Sequence, residues 1–289
     1  MEWARGDVPE SNGYHRSTMR DQLSLRLEPD VATLPNLPAT LRPMLPRPLA
    51  EPFDSTAHLF EPSWGGLRAL AFIGPADIAG SGDVRLFDGE GRDVAPTLSE
   101  LAGLAVRIDA RSAVLDGELV VVDAAGRADA DELARRLAGG GGRPVAFLAF
   151  DLLHIDGRSL LSAPLDRRRE QLRRVLRPGD EVVAVPAIAG EGRALHEAAA
   201  AQGIAGVMAR QRSSPYLPGV RSRLWRFIAV GGEMGSTAYG AVATRGAATA
   251  PGAATTSSEL DADLEGGSST PASAPVVALI RRLPLLFDD

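Results

Sequence analysis

Between residues 41 and about 230, short β-branched and apolar runs alternate with stretches of helical periodicity, which restricts the chain to a mixed α and β fold. "ALAFI" (69–73), "AVLDGELVVVD" (113–123), "VAFLAFDLL" (145–153) and "GVMAR" (206–210) read as strands. "DADELARRLA" (129–138), "LDRRREQLRRVL" (165–176) and "EGRALHEAAAAQ" (191–202) read as helices. In the second helix Leu165, Leu172, Val175 and Leu176 share one face and Arg and Glu crowd the other, the pattern of a solvated surface helix. Outside this zone the sequence changes character. Residues 1–40 are polar, broken by prolines and without sustained periodicity, and read as a poorly ordered lead. Residues 231–275 are rich in Gly, Ala, Ser, Thr and Pro, the composition of a flexible linker. The last stretch, 276–289, is apolar enough to dock onto a protein partner.

Several kinds of chemistry are excluded by residue usage. Zero cysteines rule out disulfides, thiolate metal sites and a Cys nucleophile, and the four histidines, His15, His58, His154 and His196, have no metal-ligand spacing. Any metal would be held by carboxylates and phosphates. No run of eighteen apolar residues is present and the N-terminus lacks the apolar centre of a signal peptide, so no membrane span and a cytoplasmic location are expected. All 31 basic residues are Arg and none is Lys. Codon usage in a GC-rich genome explains Arg in place of Lys on a surface, but it also removes every reaction that needs a lysine amine.

The stretch "FEPSWGGLRAL" (60–70) has a strand-turn-strand pattern with a Glu, a Trp, two glycines and an Arg. It is the second of five blocks, the others being "PMLPRPLAEPF" (43–53), "SAVLDGELVVVD" (112–123), "FLAFDLLHIDGRSLL" (147–161) and "GIAGVMARQRSSPYLPGVRSRLWRF" (203–227). In this order and spacing the blocks resemble the adenylation domain of bacterial ATP-dependent DNA ligases of the end-joining type, over residues 41–230. The resemblance implies an α+β fold of two largely antiparallel sheets flanked by helices, with an ATP-holding cleft between them. It also implies a covalent nucleotidyltransferase. In that family a lysine amine attacks the α-phosphate of ATP, Mg²⁺ neutralises the developing charge, and AMP passes to a 5′-phosphate at a nick. The phosphoramidate link suits this because its nitrogen, once protonated, leaves easily.

Matched residue by residue, the family's first motif, E-x-K-x-D-G-x-R, keeps Glu61, Gly66 and Arg68 but places Ser63 at the lysine and Gly65 at the aspartate. The third block keeps Asp116, Gly117 and Glu118. The resemblance assigns Glu118 to nucleotide and metal; the alternative is a polar residue on an exposed strand face. Phe150 matches the aromatic that stacks on adenine, though an aromatic in "VAFLAFDLL" is equally a core residue. Asp151 and His154 are expected to serve local hydrogen bonding. Other motifs have decayed: Asp88-Gly89-Glu90-Gly91 stands for S-R-N-G, Ala205 to Arg210 for E-G-x-x-x-K, and Trp225 to Ala229 for W-x-K-x-K. Codon usage accounts for Arg210 alone among these changes. Ser63, Phe227 and Ala229 abandon positive charge where Arg would have kept it.

These departures predict a ligase-family pseudoenzyme with DNA repair and recombination ancestry that binds nucleotide or DNA without lysine self-adenylation. The predicted nucleotide contacts are Glu61, Arg68, Glu118 and Phe150, and the cofactors implied by resemblance are ATP and Mg²⁺. The expected partners are nicked or broken DNA and end-joining proteins. Between Val207 and Phe227, Arg210, Arg212, Arg221, Arg223 and Arg226 occur without an acid, amid Tyr216, Trp225 and Phe227. They form a candidate phosphate or nucleic-acid patch despite a net charge of −6; the alternative is a solvated loop with a core Trp225. Two other readings stay open: an interaction module with a collapsed pocket, and a still-active DNA ligase. The stretch after residue 230 is too short and too linker-like for the complete OB-fold that usually follows in the family.

Overall fold

The computed structural model describes residues 37–76, 82–123 and 125–231. Of the N-terminal lead only residues 37–40 fall within it, and the linker beyond Gly231 and the segment 276–289 lie outside the described residues.

Among the described residues eleven strands form two sheets. The first contains β1 (Leu45–Pro48), β2 (Ser55–Ser63), β9 (Ile188–Gly190), β10 (Gly206–Gln211) and β11 (Arg221–Ala229), in the order β1-β11-β10-β2-β9. The second contains β3 (Leu67–Ala76), β4 (Gly82–Asp88), β5 (Ala113–Val120), β6 (Ala146–Ile155) and β7 (Arg158–Ser159), in the order β4-β3-β5-β6-β7, with β8 (Val182–Ala184) beside β6. Among the described strands only β1 with β11 and β6 with β8 run parallel, so both sheets are largely antiparallel, as expected. Within the described residues three helices, α1 (Ala130–Leu137), α2 (Leu165–Val175) and α3 (Gly192–Ala201), and the 3₁₀ segments Ala95–Thr97 and Ser99–Arg107 flank them.

Strands β5 and β6 are almost continuously apolar because both of their faces are covered. On one face Leu115, Leu119, Phe147 and Leu152 pack with Leu172 and Val175 of α2 and with Leu101 and Leu104 of the longer 3₁₀ segment. On the other, Val120, Leu148 and Phe150 belong to a cluster that also includes Phe60, Val207, Ala209 and Ile228 of the first sheet and Leu195 and Ala199 of α3. A third cluster, Met44, Leu70, Phe72, Val114, Leu153, Tyr216 and Trp225, closes one end of the inter-sheet space.

The helices fall where the periodicity puts them. Asp129 caps α1 by accepting the Glu132 N–H at 2.9 Å, which stops the helix one residue inside the predicted start. Helix α2 differs from expectation in its polar face: Arg168 and Arg169 are buried. They follow Leu165 at i+3 and i+4 and precede Leu172 and Val175, so they occupy inward positions of the helical repeat. The surface reading holds only for the remaining Arg and Glu of that helix.

Candidate functional site

The register of the first sheet sets one wall of the cleft. Glu61 pairs with Met208 and Ser63 with Gly206, while Met208 pairs with Phe227 and Arg210 with Trp225. Alternation along each strand therefore puts Glu61, Ser63, Met208, Arg210, Trp225 and Phe227 on one face. The second sheet supplies the opposing wall, where Arg68 pairs with Glu118 and Leu70 with Asp116.

Residues 64–66 turn the chain from one sheet into the other. Gly65 has φ of +79°, a left-handed conformation, and a Cβ on Gly66 would overlap the Leu119 carbonyl oxygen. The turn is closed by Glu118. Its Oε1 accepts the Gly66 N–H, and the N–H groups of Trp64 and Gly65 also act on the carboxylate. Glu118 is buried, which excludes the exposed-face alternative, and burial raises its pKa against the opposing pull of these amides and of Arg68.

Arg68 is engaged within its own sheet. Its Nε donates to Asp116 Oδ1 at 2.5 Å, its Nη2 donates to the second oxygen, and the same nitrogen donates to the Met44 carbonyl at 3.2 Å. Tyr216 completes the group by donating to Asp116 Oδ2 at 2.7 Å while accepting the Met44 N–H at 3.0 Å. Burial, then the adjacent Asp116 charge, push the Tyr216 hydroxyl well above its ordinary pKa, so it remains a donor. Sequence reasoning named Arg68 but gave no role to Asp116 or Tyr216. The signal was present in Asp116, an acid within "AVLDGELV" that burial obliges to find a cation.

Glu61 is gripped by two cations. Its Oε1 lies 2.5 Å from Arg210 Nη1 and 3.0 Å from Arg169 Nη1. Arg169 also donates to the Phe150 carbonyl at 2.9 Å and to the Val185 carbonyl. The Arg210 guanidinium lies 3.9 Å from the Phe150 ring centroid and 4.7 Å from that of Trp225, and Arg68 stands 4.7 Å from Phe150. Phe150 is thus both a core residue and the floor of this cation cluster. Ser63 is buried at the end of β2. Asp151 accepts two bonds from Arg168, from Nε and Nη2, each at 2.8 Å, so its partner is a buried ion rather than a local backbone group alone.

The five arginines expected to form one patch are divided by the strand geometry. Arg210 points into the cleft and is buried. Arg212 pairs with Asp166 at 2.9 Å. Arg226 alternates with the inward Trp225, pairs in register with Arg47, and acts on His58, whose pKa is lowered by burial and then by that positive charge. Arg221 and Arg223 are exposed, with Arg221 donating to the Pro46 carbonyl at 2.9 Å. Trp225 is fully buried, as the loop-and-core alternative required.

Among the described residues no three His, Asp or Glu side chains converge to hold a metal ion. Glu118 is taken up by the turn and Glu61 by two guanidiniums, so the residues present do not fit a Mg²⁺ ion. A base over Phe150 would have to displace Arg210. No helix among the described residues is long and apolar enough to cross a membrane.

The profile of the family described as ATP dependent DNA ligase domain matches residues 46–227. The multifunctional non-homologous end joining DNA repair protein LigD of Mycobacterium tuberculosis is 35% identical over 166 residues, covering 57% of this chain and 21% of that protein. A probable DNA ligase of Rhodococcus opacus is 31% identical over 194 residues, covering 65% of this chain and 38% of that protein. The chain therefore matches well under half the length of these curated relatives. The structure of mycobacterial DNA ligase D complexed with ATP and MES superposes with a TM-score of 0.55 at 30% identity, over 65% of this chain and 60% of that one. The ligase domain of M. tuberculosis LigD gives 0.54 at 31% identity, over 65% and 58%. Because the family match spans more than half of the chain, the chain belongs to the ATP-dependent DNA ligase family.

Proposed function

We propose that this domain serves end-joining DNA repair as a ligase-family member that associates with broken DNA and does not form a lysine–AMP link. The observation that carries the reading is Ser63 at the position of the nucleophile, buried at the end of β2, in a chain without lysine. A serine hydroxyl at that position would yield an alkyl phosphodiester, whose leaving group is poor, so AMP would not pass onward efficiently. The neighbouring carboxylates support the same reading, since Glu61 and Glu118 are committed to Arg169, Arg210 and the 64–66 turn. DNA contact falls to the exposed Arg221 and Arg223, which can hold phosphates in bidentate fashion.

The test is intact-protein mass after incubation with ATP and Mg²⁺, beside a Ser63→Lys, Gly65→Asp variant. The wild-type mass is expected to stay unchanged, and an AMP adduct on it would overturn the reading. In parallel, binding to nicked and blunt-ended duplexes is expected to weaken with salt and with Arg221→Glu, Arg223→Glu. A second reading, an interaction module that uses neither nucleotide nor DNA, is favoured by the Arg169–Glu61–Arg210 cluster. It predicts no DNA binding at any salt concentration.

A further inference from the structure

Arg210 is 1% exposed, yet its guanidinium has an incomplete set of partners. Nη1 contacts Glu61, but Nε is buried with no hydrogen-bond acceptor. Its plane is instead served by the rings of Phe150 and Trp225, which come from opposite sheets. A guanidinium is a flat delocalised cation, one atom thick, as a heteroaromatic base is, and both stack on aromatic faces. Around it each guanidinium already has a carboxylate partner. Asp116 neutralises Arg68, and Glu61 is shared by Arg169 and Arg210. The two aromatic faces suit an uncharged planar ring, beside which Arg68 also lies 4.7 Å from the Phe150 centroid and 5.5 Å from that of Trp225.

We propose that Arg210 is a built-in occupant of an aromatic slot made by Phe150 and Trp225, and that it closes the slot to planar heteroaromatic ligands of the nucleobase class. The inference rests on the preceding reading of a domain that does not self-adenylate, but the two fail separately. An AMP adduct on the wild type overturns the first, while the experiment below, run without triphosphate or metal, addresses only the slot.

The probe is adenosine, added to the full chain, with melting temperature and tryptophan fluorescence as readouts. Wild type is expected to show neither a concentration-dependent rise in Tm nor quenching. Arg210→Ala combined with Glu61→Gln removes the occupant together with the carboxylate it contacts. It is expected to show both signals, and to lose them on adding Phe150→Leu. Arg210→Met, which refills the slot with an apolar chain, is expected to behave as wild type. The proposal is overturned if wild type binds adenosine as tightly as the double variant. It is also overturned if the folded double variant does not bind adenosine. Should the double variant fail to melt cooperatively, wild type alone decides: saturable adenosine quenching that Phe150→Leu abolishes overturns the proposal, and its absence up to the solubility limit supports it.

Discussion

Arg169 on α2 and Glu61 on β2 stand 3.0 Å apart, and through that contact a helix packed on the second sheet holds a strand of the first. The same guanidinium donates to the Phe150 and Val185 carbonyls, so one side chain reaches both walls of the cleft. Replacing Arg169 by Met strips two carbonyls of their donor and leaves Glu61 to Arg210 alone. The expected loss is about 3–5 kcal/mol, the usual cost of breaking a buried ion pair from one side. Urea unfolding measures it, and a loss below about 1 kcal/mol would show that the contact is not made in solution.

Arg168 and Asp151 form a second buried pair, with Arg168 also donating to the Ser214 carbonyl at 2.9 Å. Arg168→Met and Asp151→Leu are each expected to destabilise strongly. The double variant should cost less than their sum, with a coupling on the order of 1–3 kcal/mol. Strict additivity in a double-mutant cycle would contradict the pairing.

Two glycines are required by space. A Cβ at Gly117 would meet Phe147 Cε2 at 2.6 Å and the Leu148 carbonyl oxygen at 2.8 Å, and one at Gly66 would overlap the Leu119 carbonyl. Gly117→Ala is expected to cost about 1–3 kcal/mol and Gly66→Ala more, because a backbone oxygen yields less than a ring. At Gly141 nothing lies within 4 Å, and alanine there should change the denaturation midpoint little.

Stability should depend on pH through three buried groups. Burial lowers the pKa of His154, so the unfolded chain takes up its proton first. Stability is then lost as pH falls below the ordinary histidine value of about 6.5. Burial raises Glu118 and Asp151, so the folded state holds their protons longer than the unfolded one. Their contribution is largest at low pH and declines as pH rises from the ordinary carboxylate range, about 4, through the raised values. Denaturant midpoints across pH would check this: His154→Phe should flatten the fall below about 6.5, and Glu118→Gln the decline above about 4.

Much of the fold was legible because the central strands are covered on both faces and so appear as unbroken apolar runs. The strand-turn-strand reading of 60–70 came from its local pattern and all three helices from their helical periodicity. Strand β11 was not read as a strand, because three arginines within "RSRLWRF" suggest a binding patch more strongly than a ladder. Their separation onto different faces follows from pairing with β10 and β1, which no local pattern reveals. Strand β1 was hidden by its two prolines, tolerable there because it lies at a sheet edge. At the site, the motif positions of Glu61, Arg68, Glu118 and Phe150 were legible, but their partners were not. Glu61 meets Arg169, which is 108 positions away, and Arg68 meets Asp116 at 48; only the assembled sheets bring such residues together.

Arg169 also has a consequence for motion. Because its contacts bridge α2, β2 and the middle of β6, the sheets have no independent hinge at that point, and widening the cleft means breaking buried charge contacts together. Breathing and melting then share one barrier, and amide hydrogens of β2 and β6 should exchange with solvent as a single cooperative unit.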